Sequence, residues 1–140
     1  MDAEGLEKTR AAGKIAARCR EWAREAIQPG VKLRTILETI ESMIREGGAA
    51  PAFPAQTSRN ECAAHYCSSP DDETVYEEGD VVKVDMGVHV DGWIADTACT
   101  VDLSSDGRNA DLIQASADAL AAARSEEHTS ELQSRQYLVC

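Results

Sequence analysis

Aromatic residues are scarce in this sequence, which has one phenylalanine, two tryptophans and three tyrosines among its 140 residues. Hydrophobic residues of all kinds make up 43% of the chain, whereas aromatic residues make up only 4%. A chain of this length has the size of one domain, and any core that it buries must be mostly aliphatic. We therefore expect one domain with an aliphatic core.

The sequence also lacks long apolar runs and an excess of positive charge. No apolar run approaches the roughly 20 residues that a bilayer-spanning helix needs, and the N-terminal stretch MDAEGLEKTR lacks the apolar region of a signal peptide. The net charge of −11 disfavours nucleic acids and anionic membranes as partners, since both would repel the chain. These features predict a cytoplasmic protein with no nucleic-acid and no membrane partner.

Paired cysteine spacings of the zinc-binding type are missing as well. The five cysteines are odd in number and include no C-x-x-C pair. They are most simply reduced and structural in a cytoplasmic protein. A zinc or redox role stays open for Cys62 and Cys67, which flank a histidine.

Helical periodicity is present in three segments. Apolar residues recur at three- and four-residue steps in residues 3–27 and 33–46, and a third helix is expected over 111–123. Residues 49–70 contain several prolines and predict extended segments and turns. Residues 71–80 are acidic and turn-rich, and we expect them to be solvated.

The sequence DVVKVDMGVHVDGWIADTACTVDL, residues 80–103, predicts a β-hairpin. Asp91-Gly92 is a two-residue turn signal of type I′, because both positions need positive φ. If these two residues form the loop, Val90 pairs with Trp93. This pairing fixes the register of both strands.

Two acids share one face of the predicted hairpin. The register places Asp85 opposite Ala98, and Asp96 lies one diagonal step away on the same side. Their repulsion favours a shared proton or a divalent cation between them, because Lys83 would neutralise only part of the pair. The pattern alone leaves open whether they are a metal site or solvated acids of an edge strand.

The other face of the hairpin is mostly apolar and must be covered. Its members are Val82, Val84, Met86, Val88 and Val90, facing Trp93, Ala95, Thr97, Cys99 and Val101. The first two helices each have one apolar stripe and could supply the cover. The predicted fold class is α+β, with helices packed on one face of an antiparallel sheet.

Two further residues are candidates for a site. Phe53, held between two prolines, is either a core anchor or the wall of an apolar ligand pocket. His65 has small neighbours that could let its imidazole approach a ligand closely. A lone histidine in such a segment is also compatible with a structural role.

The C-terminal stretch does not continue the patterns of the rest. The sequence RSEEHTSELQS, from Arg124 to Ser134, matches codon by codon the in-frame translation of a common sequencing-library adapter. We therefore interpret residues 124–140 as an adapter-derived artefact tail and exclude it from the reasoning about the fold. A genuine polar helical tail is the alternative.

Three motifs occur in a characteristic order: PAFP, SRNECAAHY and KVDMGVHVDGWIADTACTVDL. Together they resemble the N-terminal half of a type 2 methionine aminopeptidase, in the style of the archaeal enzymes, over residues 3–123. The resemblance implies that residues 1–123 are the N-terminal half of a pita-bread (creatinase/aminopeptidase) fold, in which two pseudo-symmetric halves close around two divalent metal ions. It also implies removal of the initiator methionine from nascent polypeptides, by a monomer at full length.

The same resemblance implies roles for individual residues. Asp85 matches an acid that binds one metal ion, and Asp96 matches the acid that bridges two. His65 matches a catalytic histidine that hydrogen-bonds the substrate, and Phe53 matches a wall of the methionine pocket. The metal identity stays open among cobalt, manganese, iron and zinc.

The family uses five metal ligands, and the resemblance implies that a further histidine and two glutamates lie beyond Ala123. A chain with two of the five should bind metal weakly and is expected to be inactive by itself. The alternatives are a proline-specific pita-bread peptidase, which shares the hairpin, and a non-catalytic pita-bread binding protein, which tends to lose the metal acids.

Overall fold

The computed structural model describes residues 2–126. In chain order its elements are α1 (Ala3–Ala26), α2 (Leu33–Glu46), β1 (Ala50–Pro51), β2 (Gln56–Arg59), β3 (Val81–Val90), β4 (Trp93–Asp102) and α3 (Ala110–Glu126). The chain divides into two compact units between Asp106 and Gly107. The mixture of helices and antiparallel strands confirms the predicted α+β class, and all three predicted helices are present.

Strand β3 is the centre of the sheet. It pairs antiparallel with β4 along one edge and with β1 and β2 along the other. The predicted register of the hairpin is confirmed, since Val90 pairs with Trp93. The turn between them has φ of 50° at Asp91 and 85° at Gly92, as a type I′ turn requires.

The core lies between one face of this sheet and helices α1 and α2. Alternate residues of β3 are fully buried there, namely Val82, Val84, Met86 and Val88. Helix α1 contributes small side chains at three- and four-residue steps, namely Ala12, Ala16, Cys19 and Ala23, so its backbone can approach the sheet closely. Helix α2 contributes larger ones, namely Leu33, Ile36, Leu37, Ile40 and Ile44, and each such buried side chain contributes about 1.5–3 kcal/mol.

The prediction that residues 71–80 are solvated is only partly correct: Asp71, Glu73, Glu77 and Glu78 are exposed, but Tyr76 and Asp80 are buried. Tyr76 is completely buried, and its hydroxyl lies 3.0 Å from the Thr57 hydroxyl. Its backbone N–H donates to the Val31 carbonyl, and its own carbonyl accepts from the Gly30 N–H. Burial raises the pKa of Tyr76 to about 12, so the phenol stays neutral. The prediction was wrong at Tyr76, because a single core aromatic in a mostly acidic segment gives no apolar pattern in the sequence.

The same connection ends at Asp80, whose carboxylate is buried. It accepts hydrogen bonds from Arg59 Nη1 at 3.0 Å, Asn60 Nδ2 at 2.7 Å and the Glu77 N–H at 2.9 Å. Burial acts to raise the pKa of Asp80, but these donors outweigh it and the pKa is lowered overall. The carboxylate thereby ties the start of β3 to the end of β2.

Helix α3 belongs to the second unit and is exposed along most of its length. Leu112 and Leu120 expose 70% and 55% of their surface. The helix extends to Glu126, a little beyond the predicted end. Residues 127–140 lie outside the described residues, so the interpretation of the tail stays a prediction. In the part of the chain that the structure describes, no helix combines the length and apolar character needed to cross a bilayer.

We predict that Asp80→Asn destabilises the protein at pH 7 by about 1–3 kcal/mol, because the Arg59 guanidinium loses its charged partner. A lowered pKa means that the stabilisation is present above the unfolded-state value near 3.9 and is lost as pH falls through the folded-state value. Urea unfolding at pH 7 and pH 3 should show a difference between wild type and variant that shrinks at pH 3. Glu78→Gln, at an exposed acid of the same connection, is the control and should change little. A difference that stays equal at both pH values would contradict this account.

Candidate metal centre

The two candidate acids lie together on the face of the sheet that is turned away from the core. Asp85 pairs with Ala98, and the next residue on that face, Gly87, pairs with Asp96. Their side chains are close enough to interact electrostatically. Burial raises the pKa of Asp85, and the negative charge of Asp96 raises it further.

No lysine or arginine of the described region forms an ion pair with these two acids. Lys83, the nearest lysine on that face, donates instead to the Asn60 carbonyl at 2.7 Å. Within residues 2–126, no salt bridge involves Asp85 or Asp96. The uncompensated carboxylate oxygens fit a divalent cation, for which oxygen donors are suitable ligands.

The described residues supply only part of a metal-binding shell. Among them, no group of three or more histidine, cysteine, aspartate or glutamate side chains comes together as a metal site. The pair of Asp85 and Asp96 is therefore a partial donor set. Two ligands alone hold a metal ion weakly, because each missing donor must be replaced by water.

Phe53 lies on this face beside the acids. A Cβ at Gly87 would come within 2.3 Å of Phe53 Cε1 and 2.7 Å of Cδ1, so the ring occupies the space that a side chain would take. The Ala52 N–H donates to the Gly87 carbonyl at 2.9 Å and holds the segment against β3. The sheet thus presents an aromatic wall next to its acidic pair.

His65 lies in the exposed loop after β2. Hydrogen bonds from Thr57 N–H to the Tyr66 carbonyl and from Tyr66 N–H to Ser58 Oγ hold this loop beside the strand. His65 has φ of 68°, an uncommon conformation for a residue with a side chain. An electrostatic contribution from His65 acts to lower the pKa of Asp85, so the imidazole lies near the acids.

Sequence reasoning missed Gln56, which pairs with Asp85 across β2 and β3. Opposite residues of an antiparallel pair project from the same face, so Gln56 belongs to the same surface as the acids. Its Oε1 atom is buried and has no hydrogen-bond partner within residues 2–126. The short strand QTSR is too polar to be recognised from alternation, and no signal in the sequence pointed to this residue.

The fold and this acidic face define a class of protein, the metal-dependent peptidases with a pita-bread fold. The sequence model of metallopeptidase family M24 matches residues 7–130, and the chain belongs to this family. It is 53% identical to a methionine aminopeptidase of Methanocaldococcus jannaschii over 120 residues, which are 86% of this chain and 40% of that protein. The chain thus spans about 40% of the length of this curated relative.

Solved structures show the same fold. A methionine aminopeptidase from Thermotoga maritima superposes with a TM-score of 0.81 at 27% identity, over 88% of this chain and 52% of that one. An X-Pro aminopeptidase from the same organism superposes less closely, with a TM-score of 0.62 at 26% identity, over 73% of this chain and 29% of that one. The chain therefore forms about half of a pita-bread fold, as the sequence predicted.

We predict that Asp85→Asn stabilises the metal-free protein at neutral pH, by up to about 1 kcal/mol for this partly exposed pair. A raised pKa favours the folded state below the unfolded-state value, and this advantage is lost as pH rises through the folded-state value. The free energy of unfolding of the variant, relative to wild type, should therefore increase as pH rises from 4 to 7. Urea unfolding in the presence of a chelator measures this difference. A lower urea midpoint than wild type at pH 7 would contradict the prediction, and Glu78→Gln is the control acid.

We predict that Gly87→Ala costs about 1–3 kcal/mol, because the new methyl group would overlap the Phe53 ring. In a Phe53→Ala background the same change should cost less, since the ring is gone and only the Ala52 Cβ at 3.0 Å stays close to the new methyl group. Urea unfolding of the four proteins gives a double-mutant cycle with a coupling energy above about 0.5 kcal/mol. Equal costs in both backgrounds would mean that the ring does not occupy this space.

Proposed function

We propose that this chain supplies the acidic half of a dinuclear metal site in an aminopeptidase that removes the N-terminal methionine from nascent polypeptides. The observation that carries the proposal is the pair of Asp85 and Asp96, which share one face and form no ion pair with a lysine or arginine of the described residues. High identity to an archaeal methionine aminopeptidase supports the same assignment. We further propose that the protein acts in the cytoplasm, where nascent chains are made, as a monomer at full length.

Asp85 and Asp96 are proposed to hold two divalent ions, with manganese, cobalt, iron and zinc all compatible with carboxylate ligands. When bound, such a pair of ions lowers the pKa of water and polarises the carbonyl group of the scissile peptide bond. The two carboxylates fix the charge balance of the site, and their mutual repulsion in the free protein makes them ready to accept a cation. This repulsion is relieved on binding.

His65 and Phe53 act on the peptide. His65, on its exposed loop near Asp85, donates a hydrogen bond to the substrate oxygen on which negative charge develops, or orients the carbonyl group before attack. Phe53 lies against the sheet beside the acids and packs on the methionine side chain. The absence of a side chain at Gly87 leaves the space that the ring occupies.

The chain carries matches to two of the five metal ligands that the resemblance implies. We therefore predict that the 140-residue protein by itself does not release methionine from a Met-Ala-Ser peptide with Mn²⁺ or Co²⁺. A chimera in which residues 3–123 replace the matching segment of the Methanocaldococcus jannaschii protein should release it, because that protein would supply the remaining ligands. Quantification of free methionine measures both outcomes.

Matched variants of the chimera test the acids directly. Asp85→Asn and Asp96→Asn should each lower kcat/KM by at least about 100-fold, since loss of an outer-shell partner already costs 10- to 100-fold. Glu78→Gln should leave the rate unchanged. A wild-type chimera that folds, binds Mn²⁺ and still releases no methionine would overturn the proposed function. If it instead cleaves an Ala-Pro peptide, the proline-specific alternative is correct.

A further inference from the structure

Gln56 has an unusual environment for a side chain next to a metal site. It lies directly opposite Asp85 in the β2–β3 pair and therefore on the face that carries both acids. Its Oε1 atom is buried, but no donor of the described region reaches it. A buried carbonyl oxygen without a donor costs free energy, because it has lost its hydrogen bonds to water.

The two side-chain hydroxyl groups next to Gln56 in β2 both have hydrogen-bond partners. The Thr57 hydroxyl pairs with the Tyr76 hydroxyl at 3.0 Å, and Ser58 Oγ accepts from the Tyr66 N–H at 3.4 Å. Ser68 Oγ is the other buried oxygen of the described residues without an assigned partner. Ser68 helps to lower the pKa of Asp72, so it has an acid nearby as a potential partner. No such nearby partner is seen for Gln56 Oε1 among the described residues.

The surroundings of Gln56 define what could supply the missing donor. Asp85 and Asp96 make this face negative, so it attracts groups that carry positive charge and N–H donors. Phe53 lies on the same face, on the β1–β2 side of β3, where Gln56 also lies. A peptide whose first side chain packed on Phe53 would bring its free amino group to this negative face.

We propose that the Gln56 side-chain oxygen accepts a hydrogen bond from the α-amino group of the substrate, and that Gln56 thereby helps the site to select a free N-terminus. This inference rests on the proposed function, because it takes the substrate to be a peptide with a free amino end. It adds a residue outside the metal ligands to the recognition of that end. Gln56 as a whole is only partly buried, so a rotation of its side chain on substrate binding would bring the buried oxygen to the amino group and give it a donor.

The first test compares stabilities of the 140-residue protein without metal or peptide. Gln56→Met keeps the length of the side chain and removes the unsatisfied oxygen, so the urea midpoint should stay equal or rise. Thr57→Val, one residue away, removes a hydroxyl that is paired with Tyr76, and its urea midpoint should fall. A clear loss of stability in Gln56→Met would mean that the amide supports the fold, and would overturn the proposal.

The second test measures peptide binding to the same 140-residue protein by NMR titration. Met-Ala-Ser at millimolar concentrations should shift the amide signals of β2 and β3, and Gln56→Met should weaken its binding about 3- to 10-fold, as expected for one hydrogen bond. The analogue 4-(methylthio)butanoyl-Ala-Ser lacks the amino group and should bind wild type and variant equally. Thr57→Val is the control, because it shows whether loss of a neighbouring hydroxyl also weakens the binding of Met-Ala-Ser.

The outcomes separate this inference from the proposed function. Equal binding of Met-Ala-Ser to wild type and Gln56→Met, or equal weakening of the analogue, overturns the role of Gln56 even if the chimera releases methionine. Absence of any binding of Met-Ala-Ser to wild type overturns it as well. Failure of the proposed function shows instead as a metal-loaded chimera without methionine release.

Discussion

The repulsion between two carboxylates on neighbouring strands is the constraint on which the proposed chemistry of this protein depends. Asp85 and Asp96 share a face because a two-residue turn fixes the register of β3 and β4. In the free protein, burial and then the negative charge of Asp96 raise the pKa of Asp85. Water would screen the same two acids almost completely if they were far apart or fully exposed.

The core on the opposite face of the sheet, and the pairing of β3 with its neighbours, hold the two acids in place. Strand β3 is bonded on both edges, and its apolar face packs on α1 and α2, so a slip in register would expose buried valines. The start of β3 is tied to β2 through the buried carboxylate of Asp80. The surrounding fold therefore keeps the two acids close to each other despite their repulsion.

Local signals explain how much of this fold could be predicted from the sequence. The turn Asp91-Gly92 and the period of two were enough to give the register of the hairpin, and helical periodicity gave α1 and α2. Strand β2 was not recognised, because QTSR is short and polar and its pairing with β3 joins segments that are distant in sequence. The burial of Tyr76 depends on the same non-local pairing, so neither periodicity nor composition could indicate it.

Less of the candidate site than of the fold could be predicted from the sequence. Geometry alone brought Asp85 and Asp96 to one face but left their purpose open, and only the resemblance of three motifs added His65 and Phe53. Gln56 needed the structure, because its interest lies in a missing hydrogen bond and not in its residue type. Residues whose local hydrogen bonding is incomplete in the free protein are where a binding function is most expected.

The most direct measurement is a titration of the ¹⁵N-labelled protein with Mn²⁺, whose unpaired electrons broaden the NMR signals of nearby amides. We expect the broadening to centre on residues 85–87 and 96 at the lowest metal concentrations and to disappear from both places in Asp96→Asn. The chain offers an internal competitor, because residues 71–80 are also rich in acids. Broadening that centres on that connection, or that is unchanged in Asp96→Asn, would contradict the claim that the paired acids form the metal centre.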